Sequence, residues 1–548
     1  MTMRWLAAAL VGAALVFPAA ADAGRFAVGV APEADAAALA GALQARTGGS
    51  ASVIGPFAVE LSAPSVRGVA GTPGVAYVER LTSRRRLAFT PSDPLFARQW
   101  YVPAVRGFDS WLQRPTWLRG PRIAVIDSGI DGTHPEFQGR VAEAKSFVAG
   151  SPWRDTKGHG TFVAGLMAAR LDNGEGIAGL AFPAQLLVAK VVRSDGVVPL
   201  EAEARAIRWA VDRGARVINL SLGGIRDPLD AEHDSFSALE ADAVAYAVRR
   251  GAVVVASVGN GDQAPEQPWR YASYPAALPH VLGVSAISRD GNVPAFSNRD
   301  VLYNDIAAPG DELVSTLPKS LTALRTACVP QGYSDCGPTE FRNPQGTSFA
   351  AAIVSASAAL VWTEWPNLRA EQIVGLLERS AVDMTASTGC RRCAFERDSL
   401  TGWGRLDVMR AIQWPGSLPP IDRFETNDDA GARARPVKLR VKPRSLVASL
   451  DYWNDQNDVY AIRLRKGQRL RVRLTGLAKA GPDLNLAIWL PGTRRVDHHR
   501  SVNQLAGHRS GPSANERLAY RVRKAGVYYV QVKISVPGAG YYKLTLRR

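Results

Sequence analysis

At 548 residues, 46% of them hydrophobic, the chain is too long for a single core and too apolar to be disordered, so it divides into several globular domains. Its net charge of +16 lies entirely in the last quarter: residues 422–548 hold 26 Lys and Arg against 10 Asp and Glu, whereas residues 1–421 hold 40 of each. With no nucleic-acid-binding module and no clustered aromatics, this basic tail argues against a nucleic-acid role and leaves solubility, or an anionic cell-surface or matrix polymer, as its reason.

Arg4 precedes an uncharged run over 5–21 that closes on Ala21-Asp22-Ala23, a small-x-small pattern, which predicts a secretory signal peptide over 1–23. A membrane anchor is the alternative; the run is short for one, and no other stretch is read as reaching about 18 uncharged apolar residues. Export leads to an oxidising compartment in which four cysteines pair. Cys328 and Cys336 lie in one loop and Cys390 and Cys393 in another, so local pairing is favoured among three connectivities. Half a zinc site at Cys390-Arg391-Arg392-Cys393 is the alternative, but no second Cys or His pair stands nearby.

Residues 25–30 read as a strand and 33–46 as an alanine-rich helix closed by Gly48-Gly49. A strand over 58–61, a short helix over 65–70 and a strand over 75–80 complete a compact α+β unit. Ser83-Arg84-Arg85-Arg86 follows, an exposed basic run suited to proteolytic nicking.

From residue 122 the pattern becomes short Val/Ile/Ala-rich runs alternating with amphipathic windows, as in βαβ units around a buried parallel sheet. The runs are 122–126, 186–192, 216–220, 252–257 and 280–287, with helices over 201–213 and 237–250. In such a sheet the chemistry collects where strands end. The first run ends Ile126-Asp127-Ser128-Gly129-Ile130, which delivers a carboxylate at its edge. Gly158-His159-Gly160-Thr161 places an uncrowded imidazole at the head of an apolar helix, a general base for which Asp127 can fix the tautomer. Ser257-Val258-Gly259-Asn260 leaves an amide donor at a strand end, suited to a developing oxyanion. Gly346-Thr347-Ser348-Phe349-Ala350-Ala351 sets a hydroxyl among small residues at a helix start, where backbone N–H groups are free.

This order, Asp, His, Asn, Ser, each inside its own motif, resembles the subtilisin-like serine peptidases over residues 92–415; subtilisin is itself a standard example of the triad order. The resemblance implies an α/β fold of three layers with a mainly parallel sheet, preceded by a small α+β propeptide and followed by an all-β sandwich. It implies Ser348 as nucleophile, His159 as general base and acid, Asp127 as its orienting carboxylate, and Asn260 with the Ser348 N–H as oxyanion hole. Ser221-Leu222-Gly223 resembles the edge that pairs with an extended substrate. The pocket beside the scissile bond then falls between Leu222, Gly223, Ser257 and Gly259, with Ser273 near its floor, and is expected to take an apolar or medium-sized residue. Structural calcium is common in the family, and Gln99, Glu136, Asp172 and Asn173 fall where one such site often lies. No cofactor is expected for the chemistry.

The same resemblance makes 24–90 a propeptide that aids folding and temporarily inhibits, 91–415 the catalytic domain, and 416–421, rich in Pro, a linker. An N-terminal domain that stays attached is the alternative for the first of these. Residues 424–430, 458–464, 526–532 and 540–544 alternate as strands do and resemble the bacterial pre-peptidase C-terminal domain over 422–548, with Arg469, Arg471 and Arg473 on one face. The whole is expected to be a secreted, monomeric serine endopeptidase made as an autoprocessed proenzyme and acting on polypeptides. A weakly active relative that serves as a surface-binding protein through its basic tail is the alternative. An esterase is disfavoured by the order of the triad and by the lack of a Gly-x-Ser-x-Gly elbow.

Overall fold

A computed structural model describes residues 24–81, 89–115, 118–261, 264–322, 332–334, 345–439, 442–477, 483–496 and 503–548. The expected signal peptide, the basic run at 83–86, and Cys328 and Cys336 lie outside the described residues. The chain divides into two compact units, 1–86 and 87–548.

In the first unit β1 (Gly24–Val30), β2 (Ser50–Gly55), β3 (Ala58–Ala63) and β4 (Val75–Arg80) form an antiparallel sheet in the order β2-β3-β1-β4. The helix Ala36–Thr47 buries Leu39 and Leu43 against Val28, Val59 and Leu61, is capped by Asp35, whose carboxylate accepts from Ala38 N at 2.7 Å, and stops at Gly48. Two details differ from expectation. β2 was not foreseen because its exposed Ser50-Ala51-Ser52 start lacks alternation. The helix expected over 65–70 is only the short turn Val69–Gly71, because Gly68 breaks it with φ at 79°.

In the second unit seven strands form one parallel sheet: β5 (Arg122–Asp127), β6 (Val141–Ser146), β7 (Gln185–Lys190), β8 (Ala215–Leu220), β9 (Val253–Ser257), β10 (Val281–Ile287) and β11 (Ile306–Pro309), in the order β11-β10-β9-β8-β5-β7-β6. The five inner strands are the apolar runs read from the sequence. The two edge strands were missed, since β6 is only half buried and β11 is four residues ending in Pro309. From β5 the chain goes to one side for β6 and β7 and then to the other for β8 to β11, so the sheet's switch point lies between β5 and β8.

The helix Thr347–Glu364 is apolar on every side and lies inside the fold, against the helix His159–Ala168 and the sheet. Its length and composition would allow it to cross a membrane, which corrects the expectation that no later stretch is so apolar; 89% of it is buried as core. On the opposite face of the sheet lie the helices Leu200–Asp212 and Ala238–Arg249. A short ribbon pairs β12 (Ser315–Thr316) with β13 (Tyr333–Ser334).

Beyond residue 421 a sandwich stacks a five-stranded sheet on a four-stranded one. The first runs β14 (Arg435–Pro436), β16 (Asn457–Leu464), β21 (Gly526–Ile534), β18 (Leu484–Trp489), β19 (Leu505–Arg509), and the second β15 (Arg444–Asp451), β22 (Ala539–Arg547), β17 (Arg469–Gly476), β20 (Arg517–Arg521). Alternate residues such as Leu470, Val472, Tyr542 and Leu544 fill the interior. Residues 424–430, expected as a strand, are irregular. Asp422, Glu425 and Asp429 accept from the backbone N–H groups of Phe424, Asn427 and Ala430, local bonds that replace a ladder.

Glu203 and Glu240, each 3% exposed, face one another from the two helices behind the sheet and share a hydrogen bond. Burial keeps Glu203 protonated well above its usual range and raises Glu240 to about 7. Carboxyls raised in this way favour folding in acid: the contribution is full below about 4.5 and is lost as pH rises through about 7, on the order of 3 kcal/mol. Glu203→Gln keeps a donor for Glu240 without the shared proton. Its unfolding free energy should therefore fall less than the wild type's between about pH 5 and pH 8 in urea titrations; parallel pH profiles would contradict the shared proton.

Candidate active site

The side chains singled out in the sequence meet at the C-terminal ends of β5, β8 and β9. Asp127, His159, Ser221, Leu222, Gly223, Ser257, Gly259, Asn260, Ser273 and Ser348 all line one cleft of about 270 Å³ at the sheet's switch point.

Asp127 is the last residue of β5 and is 2% exposed. Both of its oxygens lie 2.9 Å from His159 Nδ1, and Oδ1 also accepts from Ser128 N at 2.7 Å. A hydrogen on Nδ1 is thereby held against the carboxylate, which turns Nε2 toward the cleft. The approach is close because Gly160 has no side chain: a Cβ there would sit 2.2 Å from the Gly129 carbonyl oxygen.

The start of the His159 helix is held by a residue that sequence reasoning overlooked. Asp155, 3% exposed, accepts from Lys157 N, Gly158 N, Thr161 N and Thr161 Oγ1 at 2.7–3.0 Å, and from Ser128 Oγ at 2.9 Å. Ser128 Oγ in turn accepts from Gly160 N at 2.9 Å. One carboxylate thus satisfies the free N–H groups at the helix start, complements its positive end, and ties it to the residue after Asp127. Its signal in the sequence is an acidic residue shortly before a glycine-led helix. Lys190 Nζ donates to the Ser128 carbonyl beside both acids, and burial pulls its pKa down against the pull of Asp155 and Asp127.

Ser348 sits in the first turn of the helix Thr347–Glu364. Its Oγ donates to the Ser221 carbonyl at 3.2 Å, and Ser221 Oγ donates to the Ser348 carbonyl at 2.7 Å, which joins the end of β8 to the helix start. The Phe349 ring lies 5.8 Å from the imidazole of His159. Asn260 is oriented by Thr347, whose N and Oγ1 donate to Oδ1 at 2.9 and 2.8 Å, so Nδ2 is the end of the amide left to act as a donor in the cleft.

Gly224 and Tyr274 exchange two backbone bonds at 2.9 and 3.0 Å, which straightens the segment from Ser221 to Gly224 along one wall. Opposite, Gly259 has φ at 98°, and a Cβ there would meet Ser273 Oγ at 2.3 Å, so Ser273 closes against bare backbone. Asn298, which the sequence reading did not name, donates to Ser273 Oγ at 3.3 Å and lines the same cleft.

The four residues expected at a calcium site are tied into the chain's own hydrogen bonds. Gln99 Oε1 accepts from Ala178 N, Asp172 Oδ1 from Ser92, and Asn173 Oδ1 from Glu175 N. Glu136 accepts from Ile177 N, Tyr333 Oη and Asn173 Nδ2, and burial raises its pKa to about 7. Each of the four thus already has an oxygen engaged by an N–H or O–H donor of the chain.

Oxygen donors gather elsewhere, between the sandwich and the parallel-sheet domain. Asp422, Glu425 and Asp458 bring their oxygens together, Asp455 lies in the same charge cluster, and His280 Nε2 is 3.1 Å from Glu425 and 2.8 Å from Asp428. Burial raises Asp455 and Asp458 well above the usual range, and burial disfavours a charged His280 until Asp428 and Glu425 override it and hold it protonated. Asn427 is fully buried with its amide nitrogen on Asp458, and its Oδ1, like Asp455 Oδ1, has no donor among the described residues. Of the cysteines, Cys390 and Cys393 are bonded to each other.

The profile of the Subtilase family matches residues 119–404. The chain is 32% identical over 331 residues to thermitase of Thermoactinomyces vulgaris, covering 60% of this chain and 100% of that one. It is 31% identical over 332 residues to a thermophilic serine proteinase of Bacillus sp. (strain AK1), covering 60% of this chain and 70% of that one. Among solved structures, sphericase aligns with 27% identity and a TM-score of 0.44 over 60% of this chain and all of its own.

Asp155→Ala should destabilise the chain by about 2–4 kcal/mol, the loss of a buried, charge-assisted cap. It should also lower kcat more than it raises KM, because it loosens the helix that carries His159; Asp155→Asn should recover part of both. Unfolding curves and steady-state hydrolysis of a peptide anilide measure the two effects, and an Asp155→Ala enzyme with unchanged kcat would contradict the positioning role.

Proposed function

This chain belongs to the subtilase family and is a serine endopeptidase, and on that premise we propose that Asp127, His159 and Ser348 are its triad and that it is exported as a proenzyme which processes itself. The observation that supports the triad best is the Asp127–His159 pair at 2.9 Å in the same cleft as a serine at a helix start. Ser348 Oγ leaves the Ser221 carbonyl, attacks the scissile carbonyl carbon and passes its proton to His159 Nε2. Asp127 stabilises the resulting imidazolium through Nδ1–H. The oxyanion is met by Asn260 Nδ2 and the Ser348 N–H, and both are in place beforehand because Thr347 fixes the amide and the helix fixes the backbone. His159 then returns the proton to the leaving amine, and water completes deacylation by the same route.

The extended wall from Ser221 to Gly223 supports binding of a substrate strand by its backbone, and hence broad sequence tolerance. The floor built by Ser273 and Asn298 makes the adjacent pocket shallow and part polar, which suits side chains of medium size. Residues 24–90 serve as the propeptide and 422–548 as an accessory domain that leaves the cleft complete without it. A purely binding role is disfavoured because Asp127, His159, Asn260 and Ser348 line one cleft and Asp127 holds the imidazole.

We propose that a structural calcium ion sits in the seam between the sandwich and the parallel-sheet domain in preference to the Gln99 loop. Asp422, Glu425 and Asp458 bring carboxylate oxygens together, and beside them Glu425 Oε1, Asn427 Oδ1 and Asp455 Oδ1 are buried without a donor among the described residues, so a divalent ion there would neutralise the acids' mutual repulsion. It takes no part in peptide hydrolysis.

Ser348→Ala should abolish both hydrolysis and the shedding of the N-terminal segment, read by the size of the secreted product. Asn260→Ala should lower kcat by about 10²–10³ with little change in KM. Wild-type protein that neither matures nor reacts with a serine-directed phosphonate would refute the assignment. For the seam, calcium should raise Tm in the wild type and EDTA lower it, whereas Asp458→Asn should lose most of that response and Glu136→Gln should keep it.

A further inference from the structure

Among the described residues, the outer face of the four-stranded sheet is a field of positive charge. Because Leu470, Val472 and Leu474 point inward, Arg469, Arg471 and Arg473 of β17 point outward, and so do Arg517 and Arg521 of β20 and Lys543 and Arg547 of β22. All seven are exposed. The register sets like charges directly opposite one another: Arg469 faces Arg521 and Arg473 faces Arg517 across β17 and β20, and Arg471 faces Arg547 across β17 and β22. Such pairs oppose folding. Among the described residues none of the seven forms an ion pair. The acid at an outward position of these strands, Asp451, stands at the far end of β15 and is bonded by Arg379 of the parallel-sheet domain. Past the strand ends the field continues, since Gly467 and Gln468 pair with Val522 and so bring Arg465 and Lys466 beside Arg523 and Lys524.

We propose that this face binds an extracellular anionic polysaccharide and thereby holds the peptidase against a polymer-coated surface. Arginines two residues apart on a strand repeat at about 6.8 Å, and the neighbouring strand lies about 4.8 Å away. A linear polymer that bears carboxylate or sulfate groups along its length can lie along β17 and meet a guanidinium at each repeat, and the planar fork pairs two-point with such groups. Charge complementarity selects an anion, and the composition of the face selects its class. Single-stranded nucleic acid needs a succession of aromatic platforms for its bases, and across β17, β20 and β22 the one outward aromatic is Tyr541, at the end of β22 away from Arg547. An anionic bilayer is gripped by a cluster of apolar side chains that enter it, and the outward positions of the sheet offer only Val447, Ala519 and Tyr541, scattered over three strands among the cations. The proposal rests on the reading of the chain as exported but not on its peptidase activity.

The test uses the full chain carrying Ser348→Ala, which prevents self-digestion. Arg469→Thr, Arg471→Thr and Arg473→Thr together remove three charges from the face, and Lys438→Thr, Lys442→Thr and Arg494→Thr remove three from elsewhere in the same domain. Binding to immobilised heparin and to polygalacturonate is measured, with neutral dextran as blank. The face variant should lose about tenfold or more in affinity and elute at lower salt, and the control variant should change less than about twofold. The face substitutions made in the active enzyme should leave hydrolysis of a soluble peptide unchanged, which shows that the fold is intact. Equal losses in both variants would reduce the effect to net charge and overturn the proposal. So would tighter binding to anionic phospholipid vesicles or to oligo-dT than to either polysaccharide. Loss of peptidase activity in the wild type with polysaccharide binding intact would refute the triad and leave this inference standing.

Discussion

The catalytic unit depends on one close contact, the seating of the His159 helix on the end of β5. Removing water from around the Asp127 carboxylate is costly unless its lone pairs are met, and here His159 Nδ1 and Ser128 N meet them. The contact is possible because Gly160 lets the helix backbone reach Gly129, and it lasts because Asp155 binds the helix start and Ser128 together. Two carboxylates 28 residues apart thus divide the work: Asp127 addresses the imidazole, and Asp155 addresses the backbone that carries it.

The second half of the cleft is built by the helix Thr347–Glu364 in the same manner. A helix apolar on all sides is stable only when surrounded, so its start is placed by the core and not by the loop before it. Thr347 and Ser348 then tie that start to both neighbouring strand ends, Thr347 through Asn260 after β9 and Ser348 through Ser221 after β8. The donors proposed for the oxyanion, the Asn260 amide and the Ser348 N–H, are therefore both tied to a buried helix, which would allow electrostatic stabilisation without reorganisation.

The sandwich uses opposite means on its two sides. Toward the parallel-sheet domain it collects buried carboxylates around His280 and Arg379. Toward solvent it exposes arginines at matched register on β17, β20 and β22. Charge of the two signs is thus separated, with acids such as Glu425, Asp428 and Asp451 facing the parallel-sheet domain and the arginines facing solvent.

By itself the sequence determined the five inner strands of the sheet and the four groups of the cleft, because each is encoded within about ten residues: an apolar run that stops at Asp127, or a glycine that opens a helix at His159. It also determined the alternation that turns Arg469, Arg471 and Arg473 to one face. Tertiary structure decided what no local pattern carries. Asp155 reads as an ordinary loop acid until its bonds to Ser128 and Thr161 are seen. That Ile177, Ala178 and Tyr333 donate to the oxygens of Gln99 and Glu136 is likewise invisible in the sequence. The strand expected over 424–430 gives way because its acids bond their own backbone and turn toward His280, 145 residues away from Glu425 in sequence. Strand periodicity is a property of neighbours along the chain, whereas the partner of a buried polar atom is chosen by packing. For that reason the chemistry of the cleft could be read from the sequence, and the bonds that hold it in position could not.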